Sequence, residues 1–195
     1  PLRYAGDPDT PGGFRSYLID FVAHLEARHY SPHTVKNLRI DVGYFIDWSE
    51  ARAIRRPIEV TRAMLEQYRQ HVFHYRRKTD GQPLSFACQG RRLSAVRVFF
   101  QWLTRNHHLL YNPASELELP RPEKRLPRHI LTVAEIEQVI NAADSGDALG
   151  LRDRAMLETL YSTGMRRAEL VGLRTDDTDL TRGTIDARRQ AHQAL

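Results

Sequence analysis

Apolar residues recur along the first half of the chain at three- and four-residue steps, the spacing that gathers them on one face of a helix. Phe14, Tyr17, Leu18, Phe21, Val22 and Leu25 form the first such stripe. Ser31-Pro32 follows it, a cap residue ahead of a proline at the first helical position, where the missing N–H costs no hydrogen bond. Val35, Leu38, Val42, Phe45 and Ile46 then continue a second helix. Thr61 caps a third, with Met64, Leu65, Tyr68 and Val72 facing inward. Lys78 to Pro83, KTDGQP, is a turn by composition. Ser85 opens a fourth helix that turns Leu93, Val96, Phe100 and Leu103 inward. Four helices within residues 14–106 predict a compact helical bundle, preceded by a flexible stretch over 1–13.

The periodicity stops after Asn106. Asn112 to Arg128 holds prolines 113, 120, 122 and 127, each of which removes a donor and keeps its predecessor out of the helical region. Residues 107–130 therefore read as an extended linker, made basic by Arg121, Lys124, Arg125 and Arg128. A second domain is expected over 131–195. Thr132 and Glu135 form a capping box that starts a helix. Gly146 and Gly150 flank a break, and the next helix is expected from about Leu151 to Thr163. Gly164 suits the left-handed position that ends it, leaving Arg166 at the opening of a short helix. TDDTDLTRG, residues 175–183, reads as a turn, and Thr184 to Ala187 as a strand. The fold class is mainly α.

Composition narrows the chemistry. No run approaches 18 apolar residues, so no membrane-spanning helix is expected. Nor does the N-terminus show the basic-then-apolar layout of a signal peptide. The single cysteine, Cys88, rules out an internal disulfide, agrees with a cytoplasmic location and reads as packing. His71 and His74 share a helical face without a His-Glu-x-x-His motif, and no glycine-rich phosphate loop appears. A formal charge of +5 and a pI of about 9.6 suit a polyanionic partner.

The sharpest motif is YSTGMRRAELVGLR, Tyr161 to Arg174. Thr163, Gly164, Met165, Arg166 and Glu169 resemble the box around the first catalytic arginine of tyrosine recombinases, the phage-integrase and Xer-like enzymes that cut and rejoin DNA. The resemblance runs along the chain in family order. Ser31 to Trp48 is similar to the second helix of the family's core-binding domain and Arg91 to Leu103 to its fourth helix. Asn112 to Thr132 is similar to the interdomain linker, and Leu151 to Leu173 to the start of the catalytic domain. It implies a four-helix core-binding (SAM-like) domain followed by the helical first part of a tyrosine-recombinase catalytic domain. The implied activity is DNA strand cleavage and rejoining through a 3′-phosphotyrosine, with no metal or nucleotide cofactor. The implied partners are double-stranded DNA, gripped in a clamp of which the core-binding domain forms one half, and further copies assembling on that DNA in the full-length enzyme.

Arg166 is the implied catalytic arginine, with Glu169 orienting it from the same helical face. A planar guanidinium can give two parallel hydrogen bonds to the equatorial oxygens on which charge builds during phosphoryl transfer. For DNA binding, the inward stripe of the fourth helix places Arg91, Ser94, Gln101 and Arg105 on its outer face, with Arg92 and Arg97 flanking them. Lys36 and Arg39 of the second helix and Lys124 and Arg125 of the linker are further candidates for phosphate contacts.

From Ala187 onward the chain departs from the family pattern. No lysine follows Lys124, and neither a His-x-x-Arg pair nor a tyrosine follows Arg166. His74 to Arg77 has that spacing by accident, ahead of Arg166. Tyr161 reads as a core or boundary aromatic beside Leu157 and Leu160. The sequence therefore leads us to expect a chain truncated within the catalytic domain, inactive by itself and weakly ordered from Arg188 onward. A second reading is a non-catalytic DNA-binding module or remnant that occupies recombination sites.

Overall fold

The computed structural model describes residues 12–121, 130–143, 146–179 and 181–186. The chain divides into two compact units, Pro1–Lys124 and Arg125–Leu195.

The first unit carries α1 (Phe14–Ala27), α2 (Pro32–Glu50), α3 (Arg62–His74) and α4 (Phe86–Arg105). Each of the last three starts at a hydroxyl cap: Ser31 Oγ accepts from Thr34 N at 3.1 Å, Thr61 Oγ1 from Met64 N at 3.3 Å, and Ser85 Oγ from Cys88 N at 3.2 Å. His29, with φ 57°, ends α1 in the left-handed region that glycine usually supplies, and its N–H reaches Glu26 O at 2.9 Å.

The apolar stripes meet in one aromatic core. Phe45 of α2, fully buried, lies edge-on to Phe14 of α1, Tyr68 of α3 and Phe100 of α4, with centroids 5.7, 5.0 and 5.7 Å away. Phe21 packs on Phe99 and Trp102 at 5.4 Å each. Ala114 and Leu117, beyond α4, are buried in the same core, so part of the expected linker is structural. The reason is local: Asn112 Oδ1 accepts from Ala114 N at 2.9 Å and folds the chain back just after the prolines begin.

The second unit carries α5 (Val133–Asn141), α6 (Ala148–Thr163), α7 (Arg167–Val171) and a two-stranded ribbon. The capping box opens α5, with Glu135 Oε2 accepting from Thr132 N at 2.7 Å and Thr132 Oγ1 from Glu135 N at 3.3 Å. α6 starts three residues earlier than the sequence predicts. Asp147 Oδ1 captures Gly150 N at 2.6 Å, so the aspartate caps the helix and Gly150 lies in its first turn. The ribbon pairs β1 (Thr178–Asp179) antiparallel with β2 (Thr184–Ile185), in register Thr178 with Ile185 and Asp179 with Thr184. β1 falls inside the stretch expected to be only a turn, because its two polar residues carry no alternating pattern. The expected strand residue Ala187 and the tail from Arg188 lie outside the described residues.

Burial separates the units. Among the described residues of the second, only Asp177 is buried. Leu131, Ile136, Val139, Ile140, Leu157 and Leu160 line a shallow groove between α5 and α6. Tyr161 stands on its rim at 56% exposure, so it is a boundary aromatic and not a core one. Opening free energy follows buried apolar contact. Hydrogen exchange should therefore be slow across the core positions of α1 to α4 and fast through α5 and α6; equal protection of both would contradict this.

Candidate active site and nucleic-acid interface

The arginine of the Thr-Gly-Met-Arg motif is set by the way α6 ends. Gly164 takes φ 64° and ψ 15°, and its N–H closes the helix on Leu160 O at 3.0 Å. Any other residue there would be strained by its Cβ. Thr163 Oγ1 donates to Thr159 O at 2.6 Å and accepts from Met165 N at 3.3 Å, pinning the turn from its other side. The chain leaves extended, with Arg166 at φ −75° and ψ 150° as the cap residue of α7.

Glu169 then binds both ends of Arg166. Its Oε2 accepts from Arg166 N at 2.7 Å and its Oε1 from Arg166 Nη1 at 3.1 Å, while Glu169 N donates to Arg166 O at 2.9 Å. This corrects the expectation of two residues on one helical face: Arg166 precedes the helix, and the coupling is a capping box. The Arg166 side chain is 83% exposed and that of Glu169 only 22%. Such an open ion pair is worth at most about 1 kcal/mol to folding. Its consequence is orientational, since the carboxylate takes one terminal nitrogen and leaves the rest of the guanidinium directed at solvent.

In the first unit, Arg97, Gln101 and Arg105 are exposed as the periodicity of α4 predicts, Lys36 and Arg39 of α2 are exposed too, and Ser94, expected on the outer face, is half-buried. Arg91 is half-exposed and tethered: its Nε lies 3.1 Å from Asp41 Oδ2 and its Nη2 donates to Oδ1 at 3.3 Å. Asp41 is buried in α2, and burial pushes its carboxyl up, against the pull of Arg91 and then Arg92.

Arg92 overturns its expectation. It is 8% exposed, not a flank of the outer face, with its guanidinium 3.9 Å from the Tyr44 ring centroid and 5.2 Å from that of Tyr75. Lys124 and Arg125 lie outside the described residues. Sequence reasoning missed Asp41, Tyr44 and Tyr75. Asp41 did leave a signal, standing three residues after Leu38 and four before Phe45 in an otherwise apolar stripe. A carboxylate at such a step asks for a buried partner.

These features describe a mainly α protein: a SAM-like helical domain, then the helical opening of a second domain that presents an arginine held by its own glutamate. The model of the phage integrase N-terminal SAM-like domain matches residues 18–107, and the phage integrase family model matches residues 129–192. The chain belongs to the phage integrase family, the tyrosine recombinases. It is 48% identical to tyrosine recombinase XerC 2 of Ralstonia nicotianae over 185 residues, 88% of this chain and 53% of that protein. Tyrosine recombinase XerC of Xylella fastidiosa is 38% identical over 167 residues, 85% of this chain and 54% of that one. The fold is similar to that of the Tn1549 transposon integrase, solved in complex with circular intermediate DNA. That match has a TM-score of 0.57 at 20% identity and covers 84% of this chain and 51% of the other. The chain spans about half the length of the relatives it matches. Among the described residues, no helix is long and apolar enough to cross a membrane.

Proposed function

We propose that this chain is the DNA-gripping and phosphate-orienting part of a site-specific recombinase that cleaves and rejoins double-stranded DNA. The observation that carries this reading is the Arg166–Glu169 box, a guanidinium held by one terminal nitrogen with the rest of its N–H groups open to solvent. A scissile phosphate docking there would meet parallel N–H donors, and the charge growing on its non-bridging oxygens during in-line displacement would be met without reorganisation. The box supplies neither nucleophile nor proton transfer. Those roles fall to groups outside it, and recombination requires further copies on the same DNA. Arg97, Gln101 and Arg105 of α4, with Lys36 and Arg39 of α2, would hold the duplex through its backbone, and Lys124 and Arg125 of the linker would add to that grip.

Duplex binding by the 195-residue chain tests the grip. Log affinity should fall with log salt, with a slope of about 0.9 per phosphate neutralised. Replacing Arg97 and Arg105 together by alanine should lower that slope by about 1.8 and leave the melting temperature unchanged, since both are exposed. Arg91→Ala should behave differently. It strands the buried Asp41 carboxylate, and thermal unfolding should show a loss of about 1–3 kcal/mol. Binding insensitive to salt would remove the DNA-grip reading.

A further inference from the structure

We propose that the turn joining α3 to α4, residues 76–83, is a separate phosphate-binding element for duplex DNA, held in place by the Tyr44–Arg92–Tyr75 stack. The proposal rests on the DNA-binding reading above and extends it to a segment outside the faces of α2 and α4.

Arg76, Arg77 and Lys78 are consecutive and exposed, and the only acidic residue between Tyr75 and Ser85 is Asp80. A basic run in a loose loop is ordinarily just solvated. This one is closed. Arg76 forms an antiparallel bridge with Pro83, Arg77 N donates to Gln82 O at 2.9 Å, and Gly81 N donates to Arg77 O at 2.9 Å. Gly81 supplies the left-handed φ of 66° that the reversal requires.

Both ends of the turn are anchored. Val72 and Leu84 are buried in the core, and buried Gln89 of α4 donates from Nε2 to Leu84 O at 2.9 Å. Tyr75, the residue before the turn, has its ring centroid 5.2 Å from the Arg92 guanidinium, which itself lies 3.9 Å from that of Tyr44. Asp41 and Tyr44, one turn apart on α2, thus hold Arg91 and Arg92 side by side on α4. The turn and the half-exposed Arg91 are therefore fixed to one patch of the bundle. Arg92, too buried to meet a phosphate itself, has a positioning role here.

The charges of the turn are not equivalent. Arg77 pairs with Asp80, its Nη2 2.6 Å from Oδ2. Arg76 folds back, Nη1 donating to His74 O at 3.1 Å, while Lys78 is exposed at the tip. A pre-ordered element loses little conformational entropy on binding, so its cations add to affinity more fully than those of a mobile loop. Phosphates are the matching ligand because neutralising each one releases condensed counterions.

The test replaces Arg76 and Lys78 by glutamine in the 195-residue chain and leaves the Arg77–Asp80 pair intact. Binding to a fluorescent duplex of arbitrary sequence is read by anisotropy across a salt series, beside the Arg97, Arg105 double variant. We expect the salt slope to fall by about 1.8 and affinity at 0.1 M salt to fall roughly tenfold per lost contact, with unchanged helical circular dichroism. If the glutamine variant binds as the parent does while the Arg97, Arg105 variant is weakened, the turn proposal is overturned and the DNA reading survives. If the parent itself shows no salt-dependent binding, both fall. Should the glutamine variant misfold, acetylation of the unaltered protein decides. DNA should shield the Lys78 amine from the reagent, and equal modification with and without DNA rejects the turn.

Discussion

Arg166→Ala in a full-length recombinase carrying this segment should slow DNA cleavage by about 10²- to 10³-fold, the usual cost of one pre-oriented donor at a developing oxyanion. The loss should lie in the chemical step more than in binding, because the guanidinium is matched to charge that grows on the phosphate oxygens. Its 83% exposure means that folding barely depends on it, so the variant should melt with the parent. Arg166→Lys should recover only part of the rate, since an ammonium keeps the charge but loses the planar edge that meets two oxygens. Single-turnover cleavage of a nicked suicide duplex reads all of this. Parent-like cleavage by Arg166→Ala would remove Arg166 from the site.

Phe45→Ala should be the most damaging single change in the first unit. Its ring is fully buried and touches aromatic side chains from α1, α3 and α4, so no one neighbour can move to fill the space. Deleting such a ring costs about 3–5 kcal/mol through lost transfer energy and the cavity left behind. For a bundle near a hundred residues that is a fall in melting temperature of about 15–30 °C. Ile19→Ala, at a side chain 59% exposed on α1, serves as the control and should stay within about 0.5 kcal/mol. A loss under about 1 kcal/mol for Phe45→Ala would mean that the four helices do not share this core.

The α1–α4 bundle was legible in the chain because its signals are local and mutually consistent. Ser31, Thr61 and Ser85 mark starts through their own hydroxyls, and the apolar steps from Phe14 to Leu103 point one face inward on each helix. Thr132 with Glu135 and Gly164 likewise wrote the start of α5 and the end of α6. The family box was legible for the same reason: the left-handed glycine and the cap residue after it are decisions taken within six residues.

Elsewhere local rules competed, and the outcome hung on a neighbour. Asp147 reached Gly150 first and lengthened α6 where two glycines suggested a gap. The ribbon was too short and too polar for a period of two to appear.

The sequence alone determined the helices of the bundle, their caps, the order of the two units and the family motif, since each depends on residues within a turn or two of one another. Only the tertiary structure decided what the basic residues do. Arg91, Arg92 and Arg97 are indistinguishable on a helical wheel beyond their angle, yet one grips Asp41, one is stacked on Tyr44 and Tyr75, and one faces water. A guanidinium is long and amphipathic, so its fate is set by which carboxylate or ring another helix brings within reach, and periodicity within α4 carries no record of that.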